Sequence, residues 1–477
     1  MRRSLPSAYV TSDSAPRFFR GALLPAPRAR LLTAAVVVIV AAAVLAGCAG
    51  IWPVGGRPVP RPETSDEGEP VLSPYDGPGE GFVADDVPFI RVGLSHGVRN
   101  AALSCEGPYT VALFADSVET WSAGSGSKWR FGAAGGGITG SGPGGGFHMD
   151  EGTIRIRPSA GALLVFDGVR YRGEVELFAS GQGSLTVVNV LDMESYLRGV
   201  VPKEIGTRPP EEIEAVKAQA VAARTYAMAS GGKRASGGFD VYATVEDQVY
   251  AGVDGEDPVC DRAILETAGL YMTRGGEPIH AYFHANCGGS TEGRHEVWEL
   301  PEVPYLKAVV DSPGEDKFND AYCSGGSHFT WTETWDGNEL ARLVRDNLPR
   351  TASTPVRAPL GDLKDIRVTA RTPSGRVRWL EIELTGGTYR VFGDKLRWLL
   401  RRPGSGRILR SAWIELDVER RGGRVAGLTA KGRGNGHGVG MCQHGAMEMA
   451  RRGHGFADIL SHYYKGVGIE RGYGETP

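Results

Sequence analysis

The sequence has almost no excess of charge of one sign. Its 477 residues carry 53 Lys+Arg against 56 Asp+Glu, a formal net charge of −3. That balance excludes a strongly basic nucleic-acid binder. Long apolar stretches are also scarce. The main run, Leu31 to Ala46, is broken only by Thr33 and is 16 residues long, short of the roughly 20 needed to span a bilayer as a helix. No solenoid-type repeat is visible. No register of the glycine-rich segment at 432–446 gives Gly-x-Gly-x-x-Gly, and no Gly-Lys-Ser/Thr follows, which removes the usual phosphate-cradling loops. Cysteine is limited to six residues. Glycine is plentiful, with 69 Gly beside 29 Pro, yet the two together stay below the roughly 25–30% of a wholly low-complexity chain. Hydrophobic residues at 41% and charged residues at 23% are those of a globular protein. The length allows roughly two or three domains.

The N-terminal segment sets the expected compartment. Arg2, Arg3, Arg17, Arg20, Arg28 and Arg30 precede the apolar run, and Asp13 is the only acid among them. The run ends in Leu45-Ala46-Gly47-Cys48. A positive region, an apolar region and small residues at a cleavage point are the order of an export signal. The Leu-Ala-Gly-Cys ending resembles a bacterial lipoprotein box. It implies a signal peptide over 1–47, cleavage before Cys48 and lipidation of its thiol; a plain membrane anchor is the alternative. Either arrangement places the body outside the cytoplasm, in the cell envelope. Ala49 in place of an aspartate would, by resemblance to Gram-negative sorting, permit the outer membrane. Loss of the arginine-rich leader leaves the remainder more acidic than −3, which disfavours anionic wall polymers and favours uncharged sugar faces.

Residues 48–88 are rich in Pro, Gly and acids, as in Pro58-Val-Pro-Arg-Pro-Glu63, and read as a partly extended tether. Residues 89–180 read as a β-rich region, with alternating strands at 89–94, 109–114, 153–157, 163–166 and 173–178. Between Gly124 and Phe147, 11 of 24 residues are Gly, which predicts a flexible loop. From 181 to 475 the expectation is a second domain. A strand at 185–190 leads to Pro209-Pro210, which suit a first helical turn. Ile213, Val216, Ala220, Ala223 and Ala227 then recur at helical spacing to about Ala229, and Gly231-Gly232 stop the helix. Further strands are expected at 366–370, 379–384 and 413–418, with helices at 441–451 and 456–464. Strands grouped apart from helices make the fold class α+β: antiparallel strands, a central alanine-rich helix and C-terminal helices, after a β-rich N-terminal region.

Three segments carry chemistry-bearing residues. In Val200-Val-Pro-Lys-Glu204-Ile, the glutamate sits just upstream of the alanine-rich helix; taken alone it reads most simply as a solvated carboxylate. In Pro278-Ile-His280-Ala-Tyr-Phe-His284-Ala-Asn-Cys287, alternate residues of a strand share a face. His280, His284 and Cys287 could begin a zinc site, or serve as structural histidines or a substrate wall. In Gly432-Arg-Gly-Asn-Gly-His437-Gly-Val-Gly-Met-Cys442-Gln443, a glycine-rich turn between strand and helix can bring His437 and a helix N-terminus to a cleft.

Together these segments resemble the stage II sporulation protein D family, which includes the amidase-enhancer proteins. The resemblance rests on Tyr196-Leu-x-Gly-Val-Val-Pro-x-Glu204, Ala215-Val-Lys-Ala-Gln-Ala-Val-Ala-Ala-Arg-Thr-Tyr226, Gln248-Val-Tyr-Ala-Gly252, Cys287-Gly-Gly-Ser-Thr291, Val297-Trp298, Pro304-Tyr-Leu306 and Gly436-His-Gly-Val-Gly-Met-Cys-Gln-x-Gly-Ala446, in order. It covers about residues 150–470, with weaker similarity from 89. Enzymatic members are lytic transglycosylases that cut denuded peptidoglycan strands, and their catalytic acid falls on Glu204. Members usually read Glu-Met-Pro; here the sequence is Glu204-Ile205-Gly206. The resemblance also implies that Gln219, Arg224 and Tyr226 line a glycan cleft that His284, His437 and Gln443 close.

No second carboxylate is evident in these blocks, as ordinary glycosidases require. A lytic transglycosylase needs one, since the sugar's own 6-hydroxyl is the nucleophile. That role requires Glu204 to hold its proton near neutrality. Val200, Val201 and Ile205 could desolvate it, whereas a following helix N-terminus would favour the anion. Zinc-containing members carry Cys and His-Cys ligands just before Gln248, where this chain has Val241, Tyr242, Glu246 and Asp247. No metal or other cofactor is therefore expected. Outside the cytoplasm disulfides form, and the resemblance points to a pair among Cys260, Cys287 and Cys323. Expected partners are peptidoglycan glycan strands, a cell-wall amidase and the membrane through the lipid. The competing readings are a non-catalytic glycan-binding enhancer of an amidase and a purely structural envelope lipoprotein.

Overall fold

The computed structural model describes residues 87–474 apart from 116, 181, 182, 315 and 317. The leader, Cys48 and nearly all of the tether lie outside the described residues. Among those described, no helix is long and apolar enough to cross a membrane.

Twelve strands open the described chain: β1 (Phe89–Val98), β2 (Asn100–Cys105), β3 (Tyr109–Phe114), β4 (Val118–Ala123), β5 (Lys128–Ala134), β6 (Gly137–Gly142), β7 (Gly145–Met149), β8 (Thr153–Pro158), β9 (Leu164–Phe166), β10 (Val169–Tyr171), β11 (Glu174–Ser180) and β12 (Ser184–Asp192). They form two sheets, ordered β13-β1-β12-β11-β8-β3-β4 and β10-β9-β2-β5-β6-β7, where β13 is the later strand Val241–Tyr242. Alternation places Val111, Ile154, Ile156, Val175, Leu177 and Val187 in the shared core, all fully buried.

The glycine-rich stretch is not the loop its composition predicts. It forms β5, β6 and β7, paired antiparallel. Gly135 and Gly136 take positive φ in the β5–β6 turn, where glycine is needed. Gly140 and Gly142 serve another purpose. A Cβ on Gly142 would lie 2.4 Å from the Trp129 ring, and one on Gly140 2.3 Å from the Phe147 ring. The bare backbone is the floor on which these aromatics pack, with Trp121 stacked on Phe147 at 5.3 Å. Trp129 is fully buried and has no room to yield. Gly142→Ala is expected to destabilise the protein by about 1–3 kcal/mol through overpacking, read as a lower denaturant midpoint.

Strand β12 runs straight into α1 (Met193–Ile205), capped by Asp192, whose carboxylate accepts the Ser195 N–H. Helix α2 (Ile213–Ala229) follows a short 3-10 turn at Pro210–Glu212. Ala215, Ala218, Ala220, Ala222 and Ala223 of α2 are all buried, so the helix is covered all round. Short side chains let its neighbours approach closely. These are α1, α3 (Pro258–Glu266), β14 (Leu270–Arg274), α7 (Gln443–Arg451) and α8 (Phe456–Tyr463). This is the central alanine-rich helix of an α+β fold.

A separate core lies between the later segments. Trp335, Leu340, Val344, Leu380, Ile382, Leu396 and Leu428 belong to it. It is built from two three-stranded sheets, Thr330–Asp336 with Arg424–Arg433 and Ile414–Arg421, and Leu363–Arg371 with Val377–Leu384 and Gly387–Phe392, and from the helix Gly337–Thr351. Arg376 ties this unit to the rest. Its buried guanidinium donates to Cys287 O at 2.7 Å and to Ser290 O at 2.9 Å.

Candidate active site around Glu204

Glu204 lies one residue from the C-terminal end of α1. The sequence placed it ahead of a helix N-terminus, where the dipole would stabilise its charge. The structure puts it instead in the last turn of α1, the end of a helix whose dipole disfavours an anion. Pro202 sits within that helix, and Gly206 ends it with φ +78° and an N–H donated to Pro202 O. Val200, Val201 and Ile205 around it are buried. Burial pushes the Glu204 carboxyl up to about 7, against a single opposing hydrogen bond from the Val249 N–H. That N–H donates to Oε1 at 2.8 Å.

The segment holding Val249 is itself clamped. Tyr250 donates to Asn189 Oδ1 at 2.8 Å. Tyr196 donates to Gln248 Oε1 at 3.0 Å, and Gln248 Nε2 donates to Ala223 O at 3.4 Å. Asp247 accepts from Tyr226 Oη at 3.1 Å, from the Tyr242 N–H at 3.0 Å and from Lys233 at 2.5 Å. Burial opposes the charge of Asp247, but these donors and Arg234 hold its carboxyl below the usual range. Two carboxylates on either side of this segment thus have opposite roles: Asp247, on it, is ionised and occupied, while Glu204, on α1 and bonded to its Val249 N–H, keeps a proton near neutrality.

Gln443 closes the other side. Its Nε2 donates to Glu204 O at 3.0 Å and to Gln219 Oε1 at 3.1 Å. It therefore holds the end of α1 against α2 from the start of α7. Tyr226 leads from Asp247 into an aromatic cluster: Tyr226 lies edge-on to Tyr282 at 5.8 Å, Tyr282 meets Trp298 at 4.9 Å, and Trp298 meets His437 at 5.1 Å. His284 lies 5.4 Å from His437. Partly exposed Tyr282, Trp298 and His437 offer flat apolar faces of the kind on which sugar rings stack. His437 Nδ1 accepts the Val439 N–H at 3.0 Å, so its ring proton is on Nε2. Burial pushes this imidazole down to about 4, and it is neutral at physiological pH.

Of the predicted site residues, Glu204, Gln219 and Gln443 come together directly, and Tyr226, His284 and His437 form the adjoining cluster. Arg224 does not join them. It is fully buried, with Nε and Nη2 on the two oxygens of Glu194 at 2.9 and 2.6 Å and Nη1 on Leu270 O at 3.0 Å. It is a core ion pair, not a cleft residue. The cysteines also differ from expectation: all five described are free thiols. Cys260 caps no partner sulfur and sits at the start of α3, beside Asp257. Cys287 and Cys323 approach to 3.4 Å between sulfurs, too far for the roughly 2.05 Å bond. Cys287 also parts from the histidines of its own segment, since His284 Nδ1 meets Val439 O at 3.2 Å. Sequence reasoning missed Asp247 and Tyr282 as site-building groups; Asp247 next to the Gln-x-Tyr block was the available signal.

Residues 181–273 match the family described as stage II sporulation protein, and residues 292–440 match a domain of unknown function, DUF8618. An uncharacterized protein of Brachyspira hyodysenteriae is 33% identical over 307 residues, covering 64% of this chain and 74% of that protein. The stage II sporulation protein D of Bacillus amyloliquefaciens is 32% identical over 299 residues, covering 59% of this chain and 75% of the relative. The amidase enhancer of Bacillus subtilis is 27% identical over 346 residues, 66% of this chain but 46% of that longer protein. With the stage II sporulation protein D relative 32% identical and covered over 75% of its length, and the matching family model over residues 181–273, the chain belongs to the stage II sporulation protein D family.

Proposed function

We propose that this is an exported, cell-wall-acting envelope protein that cleaves denuded peptidoglycan strands as a lytic transglycosylase, with Glu204 as its single acid/base. The observation that carries the reading is the Glu204 carboxyl: half-buried, set at a helix C-terminus and raised by desolvation to about 7, it is protonated when a glycosidic oxygen arrives. Glu204 would give that proton to the leaving oxygen. It would then take the proton of the muramic-acid 6-hydroxyl as that oxygen attacks the anomeric carbon, closing a 1,6-anhydro ring. Gln219 and Gln443 position the end of α1, and Tyr226, His284 and His437 border the sugar-binding face with Tyr282 and Trp298. Residues 1–47 serve as the leader, Cys48 as the lipidated anchor and 48–88 as the tether to the body.

The similarity to an amidase enhancer favours a second reading, in which the same cleft binds glycan without cutting it and stimulates a wall amidase. Incubating the purified protein with denuded glycan and analysing the products by mass spectrometry separates the two. Products lacking one water relative to hydrolysis, absent with Glu204→Gln, are expected. Intact strands alongside amidase stimulation that survives Glu204→Gln would establish the enhancer instead.

A further inference from the structure

Four side chains from distant parts of the chain meet beside the Glu204 site. Cys287 follows the short strand Phe283–His284, Asp311 follows the bridge of Ser290 to Val310, Cys323 lies on the turn Tyr322–Gly325, and Cys442 caps α7. Each of the four is buried to within 1% of full enclosure. Their ligand-capable atoms all lie within 4.8 Å of one another. Cys287 Sγ is 3.4 Å from Cys323 Sγ and 3.1 Å from Asp311 Oδ2. A tetrahedral zinc site with Zn–S near 2.3 Å has ligand atoms separated by about 3.8 Å along its edges, so these spacings enclose one ion.

We propose that Cys287, Asp311, Cys323 and Cys442 form a four-coordinate site for a structural zinc ion. Three soft sulfurs and one carboxylate select zinc over hard cations such as magnesium or calcium. Four protein ligands leave no open position, the mark of a structural site. Backbone N–H groups turn towards the sulfurs. The N–H groups of Cys287 and Gly445 point at Cys442 Sγ at 3.2 and 3.4 Å, and that of Gly289 points at Cys287 Sγ at 3.3 Å. Tyr463 donates to the other Asp311 oxygen at 2.6 Å, holding the carboxylate in place as outer-layer groups do at metal sites. A Cys287–Cys323 disulfide would leave Asp311 in a dry space with the Tyr463 hydroxyl at 2.6 Å and the His462 ring at 3.9 Å as its remaining polar neighbours besides Cys442. The site is separate from the segment before Gln248 where zinc-containing family members carry their ligands. It adjoins Gln443, the residue that holds Glu204 O, so the ion would fix the start of α7.

The test uses the whole chain purified without chelators and needs no glycan, so it is independent of the proposed cleavage. Metal analysis and native mass spectrometry are expected to find one zinc per chain. Cobalt exchanged into the stripped protein should give sulfur-to-cobalt charge-transfer absorption and the visible bands of four-coordinate cobalt. Cys442→Ser should lower zinc affinity by at least about tenfold, while Cys260→Ser retains the ion. Should Cys442→Ser fail to fold, cobalt exchange into the wild type gives the decision. A reduced, folded chain that takes up neither zinc nor cobalt would overturn the proposal. So would a Cys287–Cys323 disulfide found by peptide mapping.

Discussion

Glu204→Gln is expected to slow cleavage of denuded glycan by about 10²–10⁴-fold at pH 6, the usual worth of a positioned acid/base. The wild-type rate should itself fall as pH rises through about 7, because the donor is the protonated carboxyl and its folded-state value lies there. A carboxyl left near its solvent value would already be ionised at pH 6 and would show no such limb. The same substitution should make the protein more stable. In the unfolded chain this carboxyl loses its proton near 4.5, whereas in the folded chain it holds it to about 7. Between those values the folded state binds more protons, so its stability falls as pH rises, and the loss is complete above the folded value. The penalty is on the order of 3 kcal/mol. Gln removes it while still accepting the Val249 N–H. At pH 8 the inactive variant should therefore outlast the wild type in urea, and at pH 4 the two should converge. An inactive and destabilised variant would point to a structural glutamate.

Arg224→Met is expected to destabilise the protein by about 3–5 kcal/mol, because it strands a buried carboxylate. Glu194 would keep only the Tyr473 hydroxyl at 2.7 Å and the Gly269 N–H at 3.3 Å. The paired change Glu194→Gln with Arg224→Met should recover much of that loss, since no uncompensated charge remains. Urea denaturation of the single and double variants measures both. In whatever fraction folds, KM for glycan should match wild type. A raised KM with unchanged stability would return Arg224 to the cleft.

The sequence made some levels of this molecule legible and concealed others for identifiable reasons. Helix α2 was readable because Ile213, Val216, Ala220, Ala223 and Ala227 keep helical spacing between a proline start and a glycine stop. The strand alternation of β3 and β8 was equally plain. Helix α1 was not, because Val200-Val201-Pro202 carries two β-branched residues and a proline, each a poor helix former. Missing it inverted the expected effect of the dipole on Glu204. The glycines at 124–147 were read by composition, whereas their placement answers to Trp129 and Phe147 rings passing over bare backbone. Arg224 was placed in the cleft because the family block contains it; only burial reveals that its partner is Glu194. The cysteine cluster has no spacing signature, since Cys287 and Cys442 are 155 positions apart and the fourth member is an aspartate.

Gln443 meets Glu204 across 239 residues of chain. A polypeptide still emerging during synthesis or export contains the carboxylate long before the residue that holds its helix end. The acid can therefore be made without being aimed. Its alignment depends on the last part of the chain folding back, so under the proposed function a nascent or C-terminally clipped chain is expected to carry the acid without the contact that holds its helix end.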